Sequence, residues 1–142
     1  NPLEGEAVGS GVRSERNGWS GDMTKLQGSA LIVEDNMIIA MEAEELLLEL
    51  GCAGCHASSS VDGALQIIDE HSIDFALLDI DLGSETSEAV ALALLRQGTP
   101  FIFASGYGNF PEFDPRLSDT PVVMKPYTGE DIVAALATLG LG

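Results

Sequence analysis

From residue 30 onward, short apolar runs alternate with amphipathic stretches. Ala30, Leu31, Ile32 and Val33 form an unbroken apolar run of the kind that makes a strand buried on both faces of a parallel sheet. Glu34, Asp35 and Asn36 end it, and Asn36 is placed to cap a helix reaching about Leu50, because its short side chain accepts from the first unpaired N–H groups. Along that helix Ile39, Ala43, Leu46 and Leu50 recur at helical spacing, with Glu42, Glu45 and Glu49 on the opposite face. Ile38, Met41 and Leu48 fall outside this stripe and are either partly buried core or an exposed docking face. Gly51 stops the helix. A weaker strand is expected at residues 53–58, and Ser59 with Asp62 three positions on gives a capping-box start to a second helix, running through Leu65, Ile67 and Ile68 to about His71.

The rhythm repeats downstream. Residues 74–79 read as a buried strand closed by Asp79, followed by a turn at Gly83 and Ser84 and a helix over about 87–96. Residues 100–104 form a fourth strand and 120–124 a fifth; Lys125 and Pro126 follow, then a helix over 128–139. Between the last two strands, residues 107–119 hold Gly108, Asn109, Pro111 and Pro115, poor material for a helix, so this segment is expected to be loop-like and the fourth helix poorly formed. Five βα units of this size imply an α/β fold, a doubly wound five-stranded parallel sheet with right-handed crossovers and helices on both faces. Residues 1–28 show no period of 2 or 3.6 and are rich in Gly, Ser, Glu and Asn, with Trp19 and Leu26 as isolated apolar members; they read as a flexible linker or tail ahead of a domain over 29–142. Whether they tether an upstream module, or Met23 is the natural start, stays open.

Composition narrows the function classes. With 142 residues the chain suits one compact domain. Its six Lys and Arg against 23 Asp and Glu, a net charge of −17, argue against direct nucleic-acid binding, which needs clustered cations. No stretch approaches the ~20 apolar residues that span a bilayer, and the first residues lack the parts of a signal peptide; membrane insertion is not expected, and the expected address is the cytoplasm.

In such sheets ligands bind at the carboxyl ends of the strands. Glu34 and Asp35 follow the first strand, Asp79 ends the third with Asp81 two further on, Ser105 follows the fourth and Lys125 the fifth. Three carboxylates on one rim repel one another unless a cation offsets them, and a hard divalent ion such as Mg²⁺ suits an all-oxygen donor set. A nucleophile, a metal, a hydroxyl donor and a fixed cation are what phosphoryl transfer requires.

That order of residues resembles the receiver domain of two-component response regulators, over roughly residues 29–139. The resemblance implies a flavodoxin-like sheet of order 2-1-3-4-5. It also implies Asp79 as phosphoacceptor, Mg²⁺ held by Glu34, Asp35, Asp79 and the backbone carbonyl of Asp81, Ser105 bonding a phosphoryl oxygen, and Lys125 pairing with the phosphoryl charge next to a cis bond to Pro126. The phosphoryl group would come from a histidine kinase or a histidine phosphotransfer protein, docking on the first helix and the loop after the fifth strand, and the change would pass to a downstream protein partner. Such a domain is a switch whose own catalysis is limited to taking the phosphoryl group and slowly losing it to water. It would be a single-domain regulator or the C-terminal receiver of a hybrid kinase, an expectation that rests on the chain stopping after its last helix.

Phe103, Ala104, Ser105, Gly106 and Tyr107 further resemble the Phe-Ala-Thr-Gly-Tyr signature of a subgroup that works with HWE-type and related histidine kinases. Ser105 stands in place of Thr, keeping the hydroxyl and losing the methyl that restricts the rotamer. Val122 and Val123 stand where most receivers carry an aromatic residue, so the response is expected in Tyr107 or the segment after it.

Two further signals compete. Cys52, Cys55 and His56 match the Cys-x-x-Cys-His of c-type haem attachment, but they fall on the second strand, where haem would displace the core. A zinc site there, even with His71, lacks a fourth ligand, which leaves two thiols in a reducing compartment. Asp79, Ile80 and Asp81 match the Asp-x-Asp of haloacid-dehalogenase-type phosphohydrolases, a family that places this motif on its first strand, not its third. A receiver-like module that binds without phosphorylation is the remaining alternative, against which stand the intact acids and Lys125.

Overall fold

The computed structural model describes residues 26–106 and 111–139. The elements run β1 (Ser29–Val33), α1 (Met37–Glu49), β2 (Gly54–Ser58), α2 (Val61–Glu70), β3 (Phe75–Asp79), α3 (Glu88–Gln97), β4 (Phe101–Ser105), a 3-10 turn (Pro115–Leu117), β5 (Val122–Met124) and α4 (Gly129–Thr138). All strand pairings are parallel, in the order 2-1-3-4-5. Trp19 and Met23, with the rest of 1–25, and Tyr107, Gly108 and Asn109 lie outside the described residues.

The apolar runs behave as strands with two dry faces. Leu31, Val33, Ala76, Leu78, Phe101 and Phe103 pack toward α2 and α3. The alternate positions Ala30, Ile32, Phe75, Leu77, Ile102 and Ala104 pack toward α1 and α4, as the two-residue period of a strand dictates. Central β1, β3 and β4 are therefore buried at every position but Ser29, with Asp79 and Ser105 as polar residues at their carboxyl ends, whereas edge strands β2 and β5 are half-buried or exposed at most positions. Leu26, an isolated apolar residue in the sequence, joins the α1/α4 core and donates its N–H to the carbonyl of Leu50 (2.8 Å).

Local chemistry sets the helix ends. Asn36 Oδ1 accepts from the N–H groups of Ile38 and Ile39. The α2 cap is Ser60 rather than the expected Ser59: Ser60 Oγ accepts from Gly63 N–H at 3.1 Å, and Ser58 Oγ holds Ser60 N–H in turn. Gly98 ends α3 in the left-handed region (φ 75°), the conformation that favours glycine. Thr128 and Asp131 form a reciprocal capping box on α4. Helix α1 leaves Met37, Ile38, Met41 and Leu48 exposed, at 75%, 69%, 60% and 41%, so the partly buried core reading of the last three does not hold. The buried stripe is already filled by Ala43 and Leu47, with Ile39, Ala40, Leu46 and Leu50 beside them.

Between β4 and β5 the described residues contain no α-helix, only the 3-10 turn. Leu117 nevertheless is fully buried, and Phe113 packs on Phe103 with ring centroids 5.6 Å apart. Among the described residues no helix is long and apolar enough to cross a membrane.

Candidate functional site

The carboxyl ends of β1, β3, β4 and β5 open into a cleft of about 860 Å³, whose lining includes Glu34, Asp35, Asp79, Asp81, Ser105 and Lys125. All six residues singled out in the sequence thus line one cleft, together with Asn36, Ile39, Ile80, Gly83, Thr86, Gly106 and Pro111. The cause is the parallel topology: each strand delivers its last residue to the same rim. Asp79 and Glu34 are buried at 3% and 5% exposure, Ser105 is also buried, and Asp35 and Asp81 are exposed.

Lys125 Nζ sits between two buried carboxylates, donating to Asp79 Oδ2 at 3.1 Å and to Glu34 Oε1 at 3.2 Å. The Lys125–Pro126 peptide is cis. The Asn36 N–H donates to Glu34 Oε2 at 3.1 Å, and the Asp81 N–H reaches Asp79 Oδ1 at 3.4 Å. Ser105 continues the β4–β5 ladder by accepting from Lys125 N–H at 2.9 Å. Burial disfavours the Lys125 charge, but its bonds to Asp79 and attraction to both carboxylates outweigh that and raise its pKa.

Burial, reinforced by the neighbouring Asp79 charge, pushes the Glu34 carboxyl up to about 7, against the partial relief of the Asn36 N–H and Lys125. Ligand oxygens of Glu34, Asp35 and Asp79 lie within 4.8 Å of one another. One ammonium therefore bonds two of these three carboxylates, leaving Asp35 without it, and the raised pKa of Glu34 favours its neutral form. A hard cation fits this donor set: the oxygens converge, they are all hard, and their charge is not balanced by the protein.

The Cys52 and Cys55 thiols are free. Burial raises both pKa values, that of Cys55 to about 11, which keeps them protonated. Cys55 packs toward α1 and α4, whereas His56, on the opposite face of β2, stacks on His71 at 4.3 Å, so the Cys-x-x-Cys-His residues do not converge.

Sequence reasoning missed Asn36 N–H, Thr86 and Tyr127. Thr86 is paired with Asp81 across the loop after β3. Tyr127 packs behind Lys125 against the α1/α4 core, and its hydroxyl pKa is raised by burial first and then by the Glu34 and Asp79 charges. A backbone donor leaves no mark in a sequence, and Tyr127 lies two places beyond the Lys125 signal with no pattern of its own.

No family model matches the chain, and no curated protein matches it. Solved structures do. The solution structure of SdrG from Sphingomonas melonis Fr1 is 37% identical, with a TM-score of 0.63, covering 85% of this chain and 98% of that one. A BeF3-activated conformation of SdrG, from Pseudomonas melonis Fr1, is 40% identical over 78% of this chain and 94% of that one, with a TM-score of 0.59. A CheY-like response regulator receiver domain protein from Methanospirillum hungatei JF-1 shares the fold at 22% identity, with a TM-score of 0.68 over 82% and 94% of the two chains. This chain belongs to the response regulator receiver domains. In this receiver, the cleft at the sheet's carboxyl edge is the place where the family resemblance, the buried Asp79 and the unbalanced carboxylates coincide.

Proposed function

We propose that this receiver is a phosphorylation switch in which Asp79 accepts a phosphoryl group from a histidine kinase or a histidine phosphotransfer protein. The observation that carries it is the arrangement of Asp79: buried, held from one side by Lys125 and flanked by Glu34 and Asp35 at metal-ligand spacing. Mg²⁺ would be held by Glu34, Asp35, Asp79 and the carbonyl of Asp81, and when bound supplies charge neutralisation for an incoming phosphoryl group.

An Asp79 carboxylate oxygen forms the new P–O bond as the donor's P–N bond breaks, leaving imidazole on the partner. Lys125 keeps Asp79 oriented before transfer and pairs with phosphoryl charge after it. Ser105 donates its hydroxyl to a phosphoryl oxygen. Loss of the group to water restores the carboxylate, and the two states favour different arrangements of the loops after β4 and β5, read by a downstream protein partner. Phe103, Ala104, Ser105 and Gly106 support assignment to the Phe-Ala-Thr-Gly-Tyr subgroup and its HWE-type and related kinases. The exposed Met37, Ile38, Met41 and Leu48 support docking of a partner helix on α1.

SdrG has a BeF3-activated conformation, and the same reagent tests this chain. In ¹⁵N-labelled protein, Mg²⁺ with beryllofluoride is expected to shift amide signals around Asp79, Ser105 and Lys125, and Asp79→Asn to abolish the response. A wild-type spectrum unchanged by both reagents contradicts the proposal.

A further inference from the structure

The loop between β3 and α3, residues 80–87, carries Asp81 and runs beside the carboxylates: a Cβ added at Gly83 would lie 3.7 Å from Asp35 Oδ2. It is stitched internally by Leu82 N–H to the Glu85 carbonyl (2.9 Å), Gly83 N–H to Asp81 Oδ1 (2.9 Å) and Ser87 N–H to the Ile80 carbonyl (3.2 Å). Two carboxylates in and just after this loop reach outward instead. Glu85 Oε2 accepts from Val61 N–H, the first residue of α2, at 3.0 Å. Glu88 Oε2, in the first turn of α3, accepts from Asp114 N–H in the β4–β5 crossover at 2.7 Å.

These bonds have a physical rationale. Val61 N–H is one of the helix-start donors that no intrahelical partner satisfies, and Ser60 Oγ is committed to Gly63. Asp114 turns its own side chain to Arg116, through three bonds of 2.9–3.0 Å. In a chain of net charge −17, an acid held near other acids must be anchored by donors, and charge-assisted bonds to backbone N–H are among the stronger ones available. The crossover that Glu88 grips also supplies Pro111 to the cleft wall.

We propose that Glu85 and Glu88 are positioning residues for the acceptor site. They clamp the loop from two sides, to α2 and to the crossover, so that the Asp81 carbonyl and Asp79 keep the spacing a cation needs. This rests on the Mg²⁺ reading above. The clamp works through geometry: both carboxylates add negative charge near the site, but what matters is the oxygen each offers to an N–H.

The test is Mg²⁺ affinity by calorimetry for wild type and for Glu85→Ala, Glu85→Gln, Glu88→Ala and Glu88→Gln, with amide exchange of Val61 and Asp114 followed in the metal-free proteins. Each Ala variant is expected to bind Mg²⁺ about three- to tenfold more weakly and to exchange faster at its own amide. Outer-shell partners of metal ligands act on affinity at this scale or above it. Each Gln variant, which keeps the acceptor oxygen, is expected to stay within about twofold of wild type. Ala variants within twofold of wild type would overturn the proposal even if their melting temperatures fell, because that pattern is a packing role. Gln variants as weak as Ala would also overturn it, because charge would then be the cause. Should Glu88→Ala fail to fold, the exposed Glu85 pair decides by the same criterion. Absence of Mg²⁺ binding by wild type would sink the metal reading and the clamp with it, whereas normal wild-type binding with unaffected Ala variants sinks the clamp alone.

Discussion

Glu34 is the residue at which burial and function pull hardest against each other. Its carboxyl titrates near 7 in the folded metal-free chain, against 4.5 ordinarily, so between those values the folded state holds a proton that the unfolded state has released. The stability tied to that proton is full below about 4.5 and is lost as pH rises through 7. In EDTA, denaturant titrations at about pH 5 and pH 8 are expected to show wild type losing stability relative to Glu34→Gln at the higher pH, on the order of 2 kcal/mol. No such pH-dependent difference would mean Glu34 is ionised throughout. Since the proton and a cation compete for the same oxygens, Mg²⁺ affinity is expected to weaken as pH falls below about 7. The identity of Glu34, Asp35, Asp79, Ser105 and Lys125 as strand-end residues was legible in the sequence, because an apolar run that stops at a polar residue marks both the strand and its end. The bond from Asn36 N–H to Glu34 and the grip of Glu85 on Val61 were not legible, because backbone donors and exposed loop acids carry no periodic signal.

At the scale of elements, helical spacing in α1 pointed to Ala43 but not to how narrow the buried stripe is. Six residues fill it, four of them only partly buried, and the positions outside it, Ile38, Met41 and Leu48, were ambiguous because periodicity says which residues share a face and not whether a neighbour covers it. Met41→Glu is expected to leave thermal stability unchanged, since Met41 is 60% exposed, while slowing phosphotransfer from a partner kinase and sparing phosphorylation by a small donor. Equal rates from the partner would remove α1 as the docking face. The crossover between β4 and β5 shows the opposite case. Its prolines correctly signalled the lack of an α-helix among its described residues, but composition did not reveal that Leu117 is fully buried in the α2/α3 core. Leu117→Ala is expected to cost about 2–5 kcal/mol in denaturant unfolding. A cost under 1 kcal/mol would show that the turn is not part of the cooperative core.

For the whole molecule, the five-unit βα rhythm gave the fold class, since right-handed crossovers leave few alternatives. The strand order came through the family resemblance, and the parallel pairings agree with it. A net charge of −17 concentrates its consequence at one cleft, where three carboxylates converge and one ammonium bonds only two of them. The central claim is that Asp79 takes a phosphoryl group there. Intact mass after incubation with Mg²⁺ and acetyl phosphate tests it most directly, beside Asp79→Asn and a sample without metal. A single phosphoryl increment in wild type, absent from both controls, is the expected result. An increment that persists in Asp79→Asn, or none in wild type under conditions where Mg²⁺ binds, would contradict the assignment of Asp79 as the phosphoacceptor.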